Sequence, residues 1–163
     1  MGDLLLIVPV LVFIVLVWFT YLIVNFFATI IKTKKKDKTM VCGLNTKGKI
    51  FYVVLSILYL LVFIGALYFL ITGYLKNGID SIYLPLNILT IFSIIYNFLL
   101  QYIIYFGQRQ ILIGRVIFDY RKIKRVTYPK ATKLRFAYGQ RTLETNIRFI
   151  DESLLKKALQ RTR

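Results

Sequence analysis

Three apolar runs, Leu4–Ile31, Ile50–Ile71 and Ile82–Phe106, contain no Asp, Glu, Lys or Arg. Each exceeds the roughly 20 residues that cross a hydrocarbon core about 30 Å thick, so the pattern predicts three membrane-spanning helices. Span one is the longest, about 42 Å as a straight helix, and must tilt or project from the bilayer. Pro9 falls in its second or third turn, where a missing amide costs little. Asn25 and Thr29, one turn apart near the inner end, are expected to face another helix, because lipid-facing amides are unfavourable. Pro85 marks the first turn of span three.

Polar residues in span three are not scattered. At 100° per residue, Thr90, Ser93, Asn97 and Gln101 fall within about 80° of arc, and Tyr83 and Asn87 extend the stripe toward the outer end. Two readings fit. The stripe packs against spans one and two, or it docks a larger membrane protein or a second copy, which makes Asn87, Thr90, Ser93, Asn97 and Gln101 the candidate partner-binding residues. A transport path is disfavoured, since no ionisable residue of the kind that marks proton or ion routes lies inside a span. Tyr74, Tyr83, Tyr102, Tyr105 and Phe106 sit near span ends, where amphipathic rings favour the headgroup level, and read as anchors.

After Gly107 the apolar pattern changes from continuous to alternating. Leu134, Phe136 and Tyr138 alternate with Lys133, Arg135 and Ala137, and Gly139-Gln140 offers a two-residue type II′ turn. On the return, Leu143, Thr145, Ile147 and Phe149 share a face. Gln110–Tyr120 and Ile123–Tyr128 also read as strands, with Gly114 permitting a bulge or turn and Pro129 closing the second, which gives three or four antiparallel strands. Asp151 is an N-cap candidate, with Ile150 placed to staple onto Leu155 and an apolar stripe of Leu154, Leu155, Ala158 and Leu159. Leu134, Phe136, Ile147, Phe149, Leu155 and Leu159 are expected inside. The expected fold is therefore three transmembrane helices followed by a small antiparallel sheet closed by a C-terminal helix, an architecture that resembles a reduced pleckstrin-homology-like module. The expected domains are 1–106, with a basic linker over 32–49, and 107–163.

Charge fixes an expected orientation. Of 23 Lys and Arg residues, seven lie in the linker, fifteen in the tail after Gly107, and Lys76 alone lies between spans two and three. The positive-inside rule then puts linker and tail in the cytoplasm and the N-terminus outside. The N-terminus lacks the basic region of a secretory signal and its apolar run is too long for a cleaved one, so span one is expected in the mature protein. Lys32, Lys34, Lys35, Lys36 and Lys38 read as a topology lock and an anchor for anionic lipids of the inner leaflet, each worth about 1 kcal/mol near the surface. The formal charge of +16 invites a nucleic-acid reading, yet topology already requires positive cytoplasmic loops, and no nucleic acid is expected.

Candidate chemistry is sparse. There is no His, and the seven acids are Asp3, Asp37, Asp80, Asp119, Glu144, Asp151 and Glu152. Asp119, beside Arg121 and Lys122, reads as one half of a local ion pair rather than a general base, and Glu144 has basic cross-strand neighbours. Cys42 is the lone cysteine, so an internal disulfide is impossible and a zinc cluster lacks ligands. No Gly-rich phosphate loop or metal spacing appears, and the expectation is a protein without enzymatic activity, metal or cofactor.

Three short stretches carry a resemblance. Leu44-Asn45-Thr46-Lys47-Gly48-Lys49-Ile50, Phe118-Asp119-Tyr120-Arg121-Lys122-Ile123-Lys124, and Gln140-Arg141-Thr142-Leu143 with Ile147-Arg148-Phe149-Ile150-Asp151 resemble the uncharacterised bacterial membrane proteins typified by YobD. The order of elements is similar along nearly the whole chain. The resemblance implies a three-span inner-membrane protein of unassigned activity, whose relatives are often encoded beside mannose-type sugar phosphotransferase genes, and it transfers no catalytic residue. Two function classes follow. One is an accessory or regulatory subunit of a larger membrane complex, such as a sugar phosphotransferase transporter. The other is an immunity-type protector against a bacteriocin, with a lipid-binding membrane module as a third reading.

Overall fold

The computed structural model describes residues 2–130, 132–146 and 149–160. Its chain order is α1 (Gly2–Lys36), β1 (Val41–Cys42), α2 (Thr46–Asn77), a 3₁₀ turn (Ile79–Ile82), α3 (Tyr83–Leu100), β2 (Ile104–Phe106), β3 (Gln110–Ile113), β4 (Val116–Asp119), β5 (Ile123–Lys130), β6 (Lys133–Tyr138), β7 (Arg141–Asn146) and α4 (Glu152–Gln160). Three of these helices, over Ile7–Lys36, Thr46–Asn77 and Tyr83–Leu100, are long and apolar enough to cross a membrane. The chain divides into two compact units. One comprises residues 1–25 and 52–98, the other 26–51 and 99–163.

The helical unit is held by a small apolar centre and a ring of hydroxyls. Leu16, Ala66, Leu86 and Leu89 are buried together, with Val12, Phe63, Leu70 and Ile82 packed around them. Beside them the rings of Tyr59 and Tyr96 stack at 4.4 Å between centroids. The Tyr59 hydroxyl lies 3.0 Å from Ser93 Oγ, and the Tyr96 hydroxyl lies 2.8 Å from Ser56 Oγ. Inside a membrane, where lipid competes for nothing polar, such pairs contribute about 0.6 to 2 kcal/mol each. Outward-facing Leu, Ile, Val and Phe along α1 and α2 remain exposed, as lipid-facing positions must.

In the second unit a four-stranded antiparallel sheet, ordered β1-β2-β3-β4, and a three-stranded one, ordered β5-β6-β7, share one core. Ile104, Phe106, Ile111 and Phe118 from the first sheet meet Ile123, Leu134 and Phe136 from the second, and Ile150, Leu155 and Ala158 close the end. The Phe118 ring stands edge-on to Phe136 at 5.4 Å and to Tyr138 at 5.0 Å, which locks the two sheets face to face.

The period-2 pattern finds its strands, and glycines set two of the turns. Gly139 has a φ of 61° between the register partners Tyr138 and Arg141, and Gly114 has a φ of 58° between Ile113 and Val116. In each turn only the first residue is left-handed, as a type II′ hairpin requires. The run Gln110–Tyr120 is therefore a hairpin rather than one strand. Asp151 caps α4: its carboxylate accepts the Ser153 N–H at 2.9 Å and the Leu154 N–H at 3.4 Å. Ile150 and Leu155 are both buried, which fits the staple.

Five expectations are corrected. The described residues contain seven strands, not three or four, because β1 comes from the linker, β2 from the end of the third apolar run, and Gln110–Tyr120 is two strands. That run is not one helix: α3 stops at Leu100, and Ile104–Phe106 pairs with both β1 and β3. The division at 106/107 moves accordingly, with residues 26–51 and 99–106 grouped in the unit that holds the sheets. Tyr105 and Phe106 are β2 residues rather than headgroup anchors, Phe106 being buried in the sheet core. Pro129 does not close β5 but lies inside it, tolerated because β5 is an edge strand. Ile147, expected in the core, lies outside the described residues. Leu134, Phe136 and Leu155 are buried, while Phe149 is half-buried and stacks on Phe51 at 5.2 Å.

Candidate functional site

The residues proposed to bind a partner are not brought together on a surface. Thr90, Ser93 and Asn97 are buried within the helical unit, Ser93 at 0% exposure. Thr90 returns its hydroxyl proton to the Leu86 carbonyl at 2.8 Å, and Ser93 meets Tyr59. Asn87 is exposed, and Gln101 is exposed beyond the end of α3. Thr90, Ser93 and Asn97 are thus assigned to packing inside the chain, since a side chain without accessible surface has nothing to offer a docking protein. A polar stripe on a transmembrane helix is ambiguous from sequence, and here the aromatic hydroxyls of α2 and α3 resolve it.

Of the basic residues after span one, Lys32, Lys35, Lys36 and Lys38 are exposed. Lys34, also exposed, lies over the Tyr105 ring, 5.1 Å from its centroid. Tyr105 pairs in register with Cys42, and burial, reinforced by the Cys42 thiol, pushes its phenol up to about 12. The lysine cluster is therefore exposed throughout, and one of its members also reaches a ring of the sheet.

A groove of about 690 Å³ runs between β5 and α4. Ile123, Val126 and Leu159 line it with apolar surface, while Lys124, Arg125 and Lys156 supply cations and no acid contributes to the lining. The register of β5 on β6 shifts twice, between Lys124 and Thr127 and again between Thr127 and Lys130. Arg125, inside the first irregularity, has a φ of 51°, which for a residue carrying a Cβ costs about 1 to 3 kcal/mol. Sequence reasoning passed over this groove because Lys124 and Arg125 look like ordinary solvated strand residues until the bulge and α4 are in place.

Four acidic side chains, Asp37, Asp119, Glu144 and Asp151, are occupied structurally. Glu144 bridges Lys133 at 2.7 Å and Arg135 at 2.9 Å. Asp119 accepts the Arg121 N–H at 3.0 Å and caps the short 3₁₀ turn Tyr120–Lys122, in place of the expected ion pair. Asp37 takes both the N–H and the hydroxyl of Thr39, whose hydroxyl in turn accepts the Gln108 N–H, so linker and sheet are tied together. Among the described residues no group of three or more His, Cys, Asp and Glu could hold a metal ion.

Three carboxyls are held below their ordinary range: Asp37 by the Thr39 hydroxyl, Glu144 by Lys133 and then Arg135, and Asp151 by the Ser153 hydroxyl. A depressed folded-state pKa means stability that is present above the ordinary carboxyl range and lost as pH falls through the folded value. The sheet module of the full chain in detergent should therefore melt at a constant temperature from neutral pH down to about pH 5, then progressively lower below about pH 4. Thermal melts followed by circular dichroism check this. A melting temperature that rises on acidification would contradict the three assignments.

No family model, curated protein or solved structure matches the chain. The likeness to YobD-type proteins rests on the short motifs alone.

Proposed function

We propose that the chain is a non-enzymatic, multi-pass protein of the bacterial inner membrane, with its N-terminus outside and its sheet module in the cytoplasm. In this reading it serves as an accessory or regulatory subunit of a larger membrane complex, and the YobD-like motifs favour a sugar phosphotransferase transporter. The basic groove between β5 and α4 carries the reading. Its cations are fixed on a strand and a helix rather than on loose loops, apolar Ile123, Val126 and Leu159 share its lining, and its charge suits an acidic partner segment. Two sheets of four and three strands closed by a C-terminal helix also support a pleckstrin-homology-like module, an architecture compatible with binding and silent on what is bound.

The polar stripe no longer contributes to this reading, so the test moves to the groove. A tagged full-length copy, purified in gentle detergent beside a Lys124→Glu/Arg125→Glu/Lys156→Glu variant, should bring down a stoichiometric membrane partner whose recovery drops at least about tenfold in the variant, the equivalent of 1.4 kcal/mol. Absence of such a partner, or equal recovery with both proteins, removes the proposal. The exposed Lys32, Lys35, Lys36 and Lys38 favour a second reading as a lipid-binding module. Anionic phospholipid retained through purification, without protein, would select it.

A further inference from the structure

The β3–β4 hairpin stands beside the exit of the third span. α3 has 18 residues, which makes it about 27 Å long against a hydrocarbon core of about 30 Å. A helix so short cannot push its C-terminal end far into water without drawing Tyr83 into hydrocarbon, so Leu100 is pinned at the boundary. The chain then turns: the Tyr102 N–H donates to the Leu99 carbonyl and the Ile103 N–H to the Leu100 carbonyl, both at 3.2 Å. Three residues reach at most about 10 Å even when extended. Ile103 therefore lies in or just beyond the headgroup layer, which is about 5 to 8 Å deep on each side.

The hairpin is fixed to this segment. Gly114 donates its N–H to the Ile103 carbonyl at 2.9 Å. A Cβ on Gly114 would sit 2.9 Å from the Gln101 carbonyl oxygen, so the turn approaches as closely as a bare backbone allows. What it presents there is apolar. Val116 is 54% exposed, Ile117 39% and Tyr102 43%, with Arg115 at the turn. Large aliphatic side chains at a hairpin tip are unfavourable in water by about 25 cal/mol per Å² and become favourable at a membrane surface. An aromatic at headgroup level suits the same surroundings for its amphipathic edge.

We propose that Val116 and Ile117, with Tyr102 beside them, form a hydrophobic foot by which the sheet module embeds in the bilayer interface next to the exit of α3. The occupant of this surface is phospholipid of the membrane that α3 crosses, at the level of the headgroups and upper acyl chains. This inference is independent of the groove and of any protein partner.

Site-specific fluorescence in vesicles tests it on the full chain. In a Cys42→Ser background, Val116→Cys and Gln140→Cys are each labelled with the environment-sensitive dye NBD. Both positions are exposed, and Gln140 sits on the other hairpin turn. The label at 116 should emit to the blue of the label at 140. A doxyl-bearing lipid spin-labelled near the top of its acyl chain should at least halve its emission, while the label at 140 remains water-like and unquenched. A water-like, unquenched label at 116 overturns the proposal. So does a blue-shifted label that doxyl lipid leaves bright, which would mean that protein covers the hairpin. Equal quenching at both positions also overturns it, since the hairpin would then not be the module's contact.

Discussion

Replacing Phe136 with Asp should unfold the sheet module while leaving the three spans inserted. Phe136 is 2% exposed and meets Phe118 edge-on, at the point where the two sheets pack together. Loss of a buried phenylalanine costs about 3 to 5 kcal/mol, and a carboxylate stranded among apolar side chains adds several more. A module of this size has a stability of about 5 kcal/mol at best. Limited trypsinolysis of the full chain should therefore cut readily after Lys124, Lys130 and Lys133 in Phe136→Asp. Arg141→Asp, on the exposed hairpin, should stay protected like the unmodified protein. Equal resistance of Phe136→Asp and the unmodified chain would sink the shared core.

The second large effect is expected at Ser93→Leu. Ser93 is fully buried and its hydroxyl pairs with that of Tyr59. A leucine there overfills a packed site at about 1 to 3 kcal/mol and leaves the Tyr59 hydroxyl without that partner. The isolated protein in detergent should melt at a lower temperature, with no other protein present, and Ser93→Ala should fall between the two. A Ser93→Leu protein that melts normally yet loses a co-purifying partner would restore the docking surface that burial argues against.

The helices, the second hairpin and the α4 cap were legible because each carries its own local signal: a long uncharged run, Gly139 between alternating stretches, Asp151 before an amphipathic stripe. β1 and β2 were not. Val41–Cys42 is too short to show a period. Ile104–Phe106 is buried and sits at the end of an apolar run, where continuous hydrophobicity reads equally as helix or strand. Gly114 reads in the sequence as a bulge or turn, and the register it sets becomes visible only when Ile113 and Val116 are paired. The stripe on α3 was correctly traced over Thr90, Ser93 and Asn97, but helical phase says which residues share a face and not what that face meets. The groove eluded the sequence altogether, since it depends on how α4 lies along a bulged edge strand.

The linker strand gives the protein an order of assembly in time. β1 is made between the first two spans, while β2, against which it pairs, follows the third. At a synthesis rate of about 5 to 20 residues per second, Val41 waits roughly 3 to 13 s before Ile104 exists. Throughout that interval the linker has no ladder to join, and a chain halted before α3 never acquires one. A fragment beginning at Gly107 would have the opposite defect, lacking β1 and β2 together and exposing the flank of β3. Closure of the four-stranded sheet therefore waits on completion of α3, and a copy with a paired linker is one in which all three long apolar helices have already been made.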